Sequence, residues 1–518
     1  FGGTGEEHID INDLQTHIEF LASYELEGRE AGYHGAEIAA RYIATRFKNY
    51  GLTSPEGADN YYQQVPLVVM RPDFENTVLT LKTAAGAKSF VTDKDVFFFP
   101  KGGDNDSFSA PVVLCGYGIT APEYQYDDYE GVDVSGKVVL IMNREPQEND
   151  TNSVFNGVKN TKYSIPMVKA RIAKQNGAKA LLIMEQPGKA PIEETLEKYR
   201  DRLKKPIVQL AGNTESLPVF YLTAETAQEI LTGKVDPAEY HAGIESDLKG
   251  NPMEIEGVSL DLNIRFKERL ETQSPNVVGF LEGRDPDLKD EYLIIGAHYD
   301  HEGIGGEGFF PGADDNASGV AVLLELAEAF STQKKAPKRS ILFISFGAEE
   351  KGTLGSLHYS LNPLLPPEKA AAMFNMDEVG RNGAANYRGM FDRNLAEQGT
   401  NLLMFFYTAQ TPTLQEFAAE ANEGIGLDID FDPNTSFYGN SDHVHFHDLK
   451  IPSVFFFTGF HPDYTKPSDT PDKINYGKME RIGKLIYRTA DEVLNAEEKL
   501  YFDETITEVK NKKKRMSF

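Results

Sequence analysis

Hydrophobic positions recur at two different periods along the chain. Between residues 11 and 50 they fall at helical spacing, first in INDLQTHIEFLASY and then in HGAEIAARYIATRFKNYG, with GREAG as a loop and Gly51 as the stop. YYQQVPLVVM reads as a strand. From about residue 74 short strands broken by turns take over: TVLTLKT, AKSF, DVFFFP, PVVLCGYG and KVVLIMN. SIPMVKARIAKQNGAKALLIME reads as a helix followed by a strand. The stretch from about 190 to 260 is charged and less regular, with LPVFYLT as a further strand. This change of period predicts a separate, mixed domain.

Beyond it the pattern becomes more regular. NVVGFLEG and YLIIGAHYD are strands, and VAVLLELAEAFSTQ is a helix. RSILFISFGAEE is a continuous apolar run, the mark of a strand covered on both faces. AAAMFNMDEVG, LLMFFYT and IPSVFFFTG are further strands, TLQEFAAEAN is a helix, and MERIGKLIYRTADEVLN is the closing helix. Strands alternating with helices predict an α/β fold, a mostly parallel sheet flanked by helices. The expected division is 1–73 and 263–500 for this α/β domain, 74–262 for the inserted mixed β/α domain, and 501–518 for a solvated tail.

Composition narrows the partners. A formal net charge of −28 over 518 residues argues against nucleic acid or an anionic membrane surface. No run reaches the roughly 18 apolar residues of a membrane helix, so no membrane span is expected. The single cysteine, Cys115, excludes an intrachain disulfide, and its setting in PVVLCGYG predicts a buried, inert thiol. No leader pattern is visible; the chain begins at Phe1, which leaves a removed leader open.

The chemistry gathers where this topology puts it, at the carboxyl ends of strands. YLIIGA ends at His298 and Asp300, ILFISFGA at Glu349 and Glu350, and AAMFNM at Asp377. PGADDNASG supplies Asp314 and Asp315. SDHVHFH, just before the last strand, offers Asp442, His443, His445 and His447. Carboxylates buried together without a cation are costly, so this set predicts a site for zinc or a similar divalent ion. His298, Asp314, Glu350, Asp377 and one later histidine exceed the three protein ligands of one catalytic zinc, and two ions sharing a carboxylate fit the count. Glu349 and Glu350 then divide the labour, one holding metal and one facing the bound water as base. His301 reads as a loop residue. His445 and His447 read as structural or exposed, Arg381 as one half of a surface ion pair, and Ser318 as helix-start chemistry. Asp469, in KPSDTPDKI, reads as a turn near the pocket or as a helix cap.

In GAHYD, PGADDNASG, FGAEEKGTLGS, FNMDEVGR and SDH, in that order, the chain resembles the di-zinc aminopeptidase family, whose relatives include glutamate carboxypeptidase, glutaminyl cyclase and the transferrin receptor ectodomain. The resemblance covers residues 265–495, and FLASYELEGREAG with Tyr62 and Gln64 is similar to the family's N-terminal segment. DDYEGVDVSGKVVLI and the GAKALLIM pattern resemble the protease-associated domain often inserted there. The resemblance implies the zinc-exopeptidase, phosphorylase/hydrolase-like fold and two zinc ions, with other divalent ions as alternatives. It implies His298 and Asp377 on one ion, Glu350 and His443 on the other, Asp314 bridging, Glu349 as general base, and Asp300 orienting the His298 imidazole. It also implies a cis peptide between Asp314 and Asp315. Where some members carry a tyrosine directly before the last histidine ligand, Asp442 stands; Tyr438 is nearby without matching the motif.

The implied activity is hydrolysis of N-terminal residues from a peptide substrate, in a secreted or periplasmic protein. The oligomeric state is unknown. The alternatives are a carboxypeptidase or dipeptidase of the same family, a non-catalytic receptor-like protein that has lost its ligands, and a one-metal glutaminyl cyclase. A carboxypeptidase needs clustered cations to grip a terminal carboxylate. The segments 382–442 and 459–473 instead spread out Arg388, Arg393, Lys466 and Lys473 among Asp392, Asp428, Asp430 and Asp432, a balance that suits an amine.

Overall fold

The computed structural model describes residues 5–99, 105–155, 157, 160–197, 206–212, 217–382, 400–433 and 441–506. It divides into two compact units, residues 1–67 with 272–518, and residues 68–271. Among the described residues no helix is long and apolar enough to cross a membrane.

The first unit is an α/β fold. Its elements are α1 (Ile11–Leu21), α2 (His34–Asn49), β1 (Tyr62–Gln63), β2 (Asn276–Leu281), β3 (Tyr292–His298), α3 (Gly319–Ser331), β4 (Ser340–Phe346), α4 (Leu354–Leu361), β5 (Ala370–Met376), β6 (Leu402–Tyr407), α5 (Thr413–Ala421), β7 (Asp428–Asp432), α6 (His443–Asp448), β8 (Ser453–Phe457) and α7 (Tyr476–Asn495). The sheet order is β1-β2-β4-β3-β5-β8-β6-β7. Its four central strands, β4, β3, β5 and β8, run parallel, while β1, β2 and β6 join antiparallel.

The uninterrupted apolar runs form these central strands because both faces are covered. Along β3, Leu293, Ile295 and Ala297 face a core shared with α1, α2, α3 and α7. The alternate residues Tyr292 and Ile294 pack with Tyr359 of α4 and Phe446 of α6 on the other side. α3 has eleven of its thirteen residues buried, so it has almost no solvent face. Its buried carboxylate, Glu325, accepts from the Asp10 N–H at 3.3 Å and lies 3.4 Å from the His17 ring.

The second unit is built on an eight-stranded mixed sheet whose middle strands, Asp106–Leu114, Val138–Met142, Ala180–Met184 and Val219–Leu222, run parallel. Cys115 is buried there, and burial pushes its thiol well up, so it is inert as its sequence setting predicts. Gly116 follows because a Cβ at its φ of +45° would lie 2.0 Å from Asp128 Oδ1. The buried Asp128 accepts from the N–H groups of Tyr117 and Ile119, both at 3.0 Å, and from the Tyr126 hydroxyl at 2.7 Å. The buried Lys169 donates to the Tyr117 carbonyl at 2.5 Å.

Candidate metal centre

The parallel register of β4, β3 and β5 brings three strand ends level. His298 pairs with Phe346, and Gly296 with Asn375. The residues just past these ends therefore converge, as expected at the carboxyl edge of such a sheet. They are His298, Asp300 and His301 after β3, Glu349 and Glu350 after β4, and Asp377 and Glu378 after β5. The turn at Ala313–Ser318, between β3 and α3, adds Asp314 and Asp315.

Two triads of donor atoms share one carboxylate. His298, Asp315 and Asp377 form one, and His301, Asp315 and Glu350 the other, with the donor atoms of each within 4.8 Å of one another. The Asp315 oxygens are divided between them: Oδ1 lies 3.6 Å from His298 Nε2, and Oδ2 lies 3.7 Å from His301 Nδ1. His298 Nε2 is also 3.1 Å from Asp377 Oδ1, and His301 Nδ1 is 2.8 Å from Glu350 Oε1. Glu349 Oε2 is 3.9 Å from His298 Nε2.

The electrostatics describe carboxylates short of positive charge. Burial, reinforced by the neighbouring carboxylates Glu350 and Asp377, pushes Asp315 well above the usual range. Burial also pushes Glu349 well up. Burial alone lowers the His298 imidazole, yet Asp377, Glu349 and Asp315 together hold it well above its ordinary value. Glu350 is the exception: burial works to raise it, but the hydrogen bond and charge of His301 hold it at about 2. A divalent cation among these groups supplies the missing charge, and imidazole with carboxylate donors is the set that suits zinc.

The surrounding residues aim this set. Asp300 Oδ1 and Oδ2 accept the N–H groups of Glu349 and Glu350 at 2.9 and 3.2 Å, so its carboxylate holds the glutamate turn. Expected to orient His298, that carboxylate lies 3.9 Å from the ring; the atom at hydrogen-bond distance from Nδ1 is the Asp300 carbonyl, at 3.2 Å. With Nδ1–H donating there, Nε2 keeps its lone pair for a ligand. Ser441 donates to Asp377 Oδ2 at 2.8 Å. The Arg29 guanidinium, in the GREAG stretch, is buried and donates to the carbonyls of Leu21, Tyr299, Pro311 and Gly312, tying the PGADD turn to β3. Gly312, at φ +59°, is required there because a Cβ would meet the Asp315 carbonyl at 2.2 Å.

Two expected ligands stand elsewhere. Asp314 belongs to neither triad: its Oδ1 accepts from the Gly380 N–H at 2.6 Å, which turns the carboxylate away from Asp315. Asp469 Oδ2 accepts the N–H groups of Asp314 and Asp315 at 2.9 and 3.2 Å, which fits the turn near the pocket rather than the helix cap. The cis peptide expected between Asp314 and Asp315 lies one residue on, between Asp315 and Asn316. His443 opens α6 and stacks flat on Phe455, with ring centroids 4.7 Å apart and planes at 10°. Burial lowers its imidazole to about 3.

In its place His301, read as a loop residue, is fully buried against Glu350. HYDH carries that histidine three residues after His298, but nothing in the string orients it. Arg381 is not at the surface: it is buried and bonds Asp463 at 2.9 Å. Ser318, expected as helix-start chemistry, stands at the N-cap of α3 without a capping hydrogen bond; its hydroxyl donates to the Asp314 carbonyl at 2.7 Å and accepts from the Val379 N–H at 3.0 Å. His445 and His447 make hydrogen bonds to Thr353 and Thr408. Tyr438, Arg388, Arg393 and Asp392 lie outside the described residues.

Residues 276–490 match peptidase family M28, and residues 108–230 match the PA domain. Aminopeptidase YwaD of Bacillus subtilis (strain 168) is 26% identical over 398 residues, which cover 74% of this chain and 69% of that protein. A probable zinc metalloprotease of Pyrenophora teres f. teres is 43% identical over 112 residues, covering 21% of this chain and 23% of its own length. The solved structure of an aminopeptidase from Aneurinibacillus sp. strain AM-1 shares the fold, with a TM-score of 0.52 at 23% identity over 97% of each chain. Residues 276–490, which carry these motifs on these strand ends, are thus a match to peptidase family M28, in one polypeptide with a PA domain match over 108–230.

Proposed function

We propose that the chain is a zinc aminopeptidase with two ions sharing Asp315. His298, Asp377 and Asp315 would hold one ion, and His301, Glu350 and Asp315 the other. The observation that carries this reading is that division of the Asp315 carboxylate between two imidazole-containing triads. The names of the two relatives, an aminopeptidase and a zinc metalloprotease, point the same way.

The ions would polarise the scissile carbonyl and lower the pKa of a bound water. Glu349 stands beside His298 without belonging to either triad, and it takes the proton from the attacking water and passes it to the leaving amine. Asp300, bonded to both glutamate N–H groups, keeps Glu349 and Glu350 facing their separate tasks. The surplus of carboxylates favours a substrate that brings a free α-amine. A secreted or periplasmic location goes with this reading.

The test compares aminoacyl-4-nitroanilides and short peptides with the same compounds acetylated at the amine. Cleavage that requires the free amine, is abolished by chelation and returns with zinc is the expected outcome. Faster cleavage of N-blocked peptides with release of the C-terminal residue would replace this reading by a carboxypeptidase.

A further inference from the structure

On the far side of the PGADD turn lies a third group of donors that the reaction above does not use. Asp314, Glu378 and His461 are all buried, and their donor atoms lie within 4.8 Å of one another. They come from three separate places in the chain: the turn before α3, the end of β5 and the loop after β8.

Three observations make this cluster more than a patch of acid. First, His461 is 1% exposed, and neither ring nitrogen has a hydrogen-bond partner. Its Nε2 lies 3.3 Å from Asp314 Oδ2. Second, Asp314 Oδ2 and Glu378 Oε2 are likewise buried without a partner. Leaving one such atom unpaired costs about 1–3 kcal/mol, and one donor atom from each of the three side chains converges here. Third, the nearby cation is committed elsewhere. Arg381 bonds Asp463 at 2.9 Å and lies 3.7 Å from Asp469 Oδ1. Among the described residues no lysine or arginine forms an ion pair with Asp314 or Glu378.

We propose that Asp314, Glu378 and His461 form a further zinc site, distinct from the two triads that share Asp315. One imidazole and two carboxylates are the donors of a three-ligand zinc site with an open position. Calcium and magnesium prefer oxygen donors alone, in larger number, which this cluster does not offer. Asp314 precedes Asp315 directly, so an ion bound here holds the turn that carries the shared carboxylate. The site is thus a positioning element and takes no part in bond cleavage.

The experiment uses the full chain, stripped with chelator and reconstituted with zinc alone. Zinc per chain is measured by mass spectrometry, and ion positions are found by anomalous diffraction at the zinc edge. The expected result is an anomalous peak bounded by Asp314, Glu378 and His461, and about one zinc per chain more than in His461→Gln. That variant keeps the peaks beside Asp315 and loses this one. Glu378→Gln is the second variant, with the same expected loss, in case His461→Gln does not fold. Peaks beside Asp315 with none at His461, or a zinc count unchanged in a folded variant, would overturn the proposal. Absence of the peaks beside Asp315 would instead count against the two-ion reading, so the two failures are separable.

Discussion

Both units of this chain bury ionisable side chains, and they close the account differently. In the PA-containing unit, Asp128 is buried beside Lys169, takes three hydrogen bonds and feels that ammonium, while Lys169 finds a carbonyl. Burial pushes the aspartate up and the lysine down, and each draws the other back toward its charged form. In the peptidase unit the strand-end cluster has no such closure. Asp315, Glu349, Glu350 and Asp377 lie around His298 and His301, and buried atoms such as His301 Nε2 are left unpartnered. A structural charge is answered by the fold itself; a functional one is left for something the fold must bind.

Replacing the shared carboxylate tests the contrast most severely. Asp315→Ala is expected to lose bound zinc and essentially all hydrolysis, measured as metal per chain and anilide turnover. Retention of both ions would show that Asp315 does not join the triads. Glu349→Gln is the next largest effect: the ions stay, and turnover falls about 10²–10⁴-fold, the usual worth of a positioned base. Near wild-type turnover in that variant would move the base elsewhere.

The closed side of the comparison is tested by Lys169→Met. It leaves Asp128 buried without its cation, at a cost of about 3–5 kcal/mol read by urea unfolding. Metal content should be unchanged; a fall in zinc would break the separation of the two units' roles.

The smallest effect comes from Glu325, a buried carboxyl of the peptidase unit that accepts one backbone N–H. Burial pushes this carboxyl up to about 8, while burial lowers His17 to about 4. A carboxyl raised in the folded state contributes stability that is fully present below its unfolded pKa and lost as pH rises through the folded one. A histidine lowered in the folded state acts oppositely, but only between about 4 and its unfolded value near 6.5. From about pH 6.5 to 8 only the Glu325 slope remains, at most about 1.4 kcal/mol per pH unit. The wild type should lose stability over that window relative to Glu325→Gln, and parallel curves for the two would remove Glu325 from the account.

The architecture and the address of the site were legible in the order of residues. Apolar runs such as YLIIGA and SILFISF are too continuous for a half-exposed sheet, and each ends in imidazole or carboxylate, so their convergence at one sheet edge follows from parallel pairing. Asp377 directly follows β5, and Glu349 and Glu350 come three and four residues after β4, so the sequence already put them at that edge. The period change near residue 74 predicted a second domain over 74–262, and the second compact unit runs over Val68–Glu271.

What the string left open was the direction of side chains in the loops. Asp314 and Asp315 are equivalent by composition and spacing. Their opposite aims are set by the Gly380 N–H, 66 residues away, and by Asp469, 155 residues from Asp314. His443 looked like a ligand because it follows SD before a buried strand, yet its ring lies flat on Phe455 inside an aromatic stack. His301 looked like a loop residue, yet it faces Glu350 from a segment that Arg29 ties down through four carbonyls. Local patterning determined which strand ends carry the chemistry, since hydrophobic burial acts on every residue of a strand. Only the tertiary structure decided which carboxylate is shared and which imidazole turns inward, because single long-range hydrogen bonds make those choices.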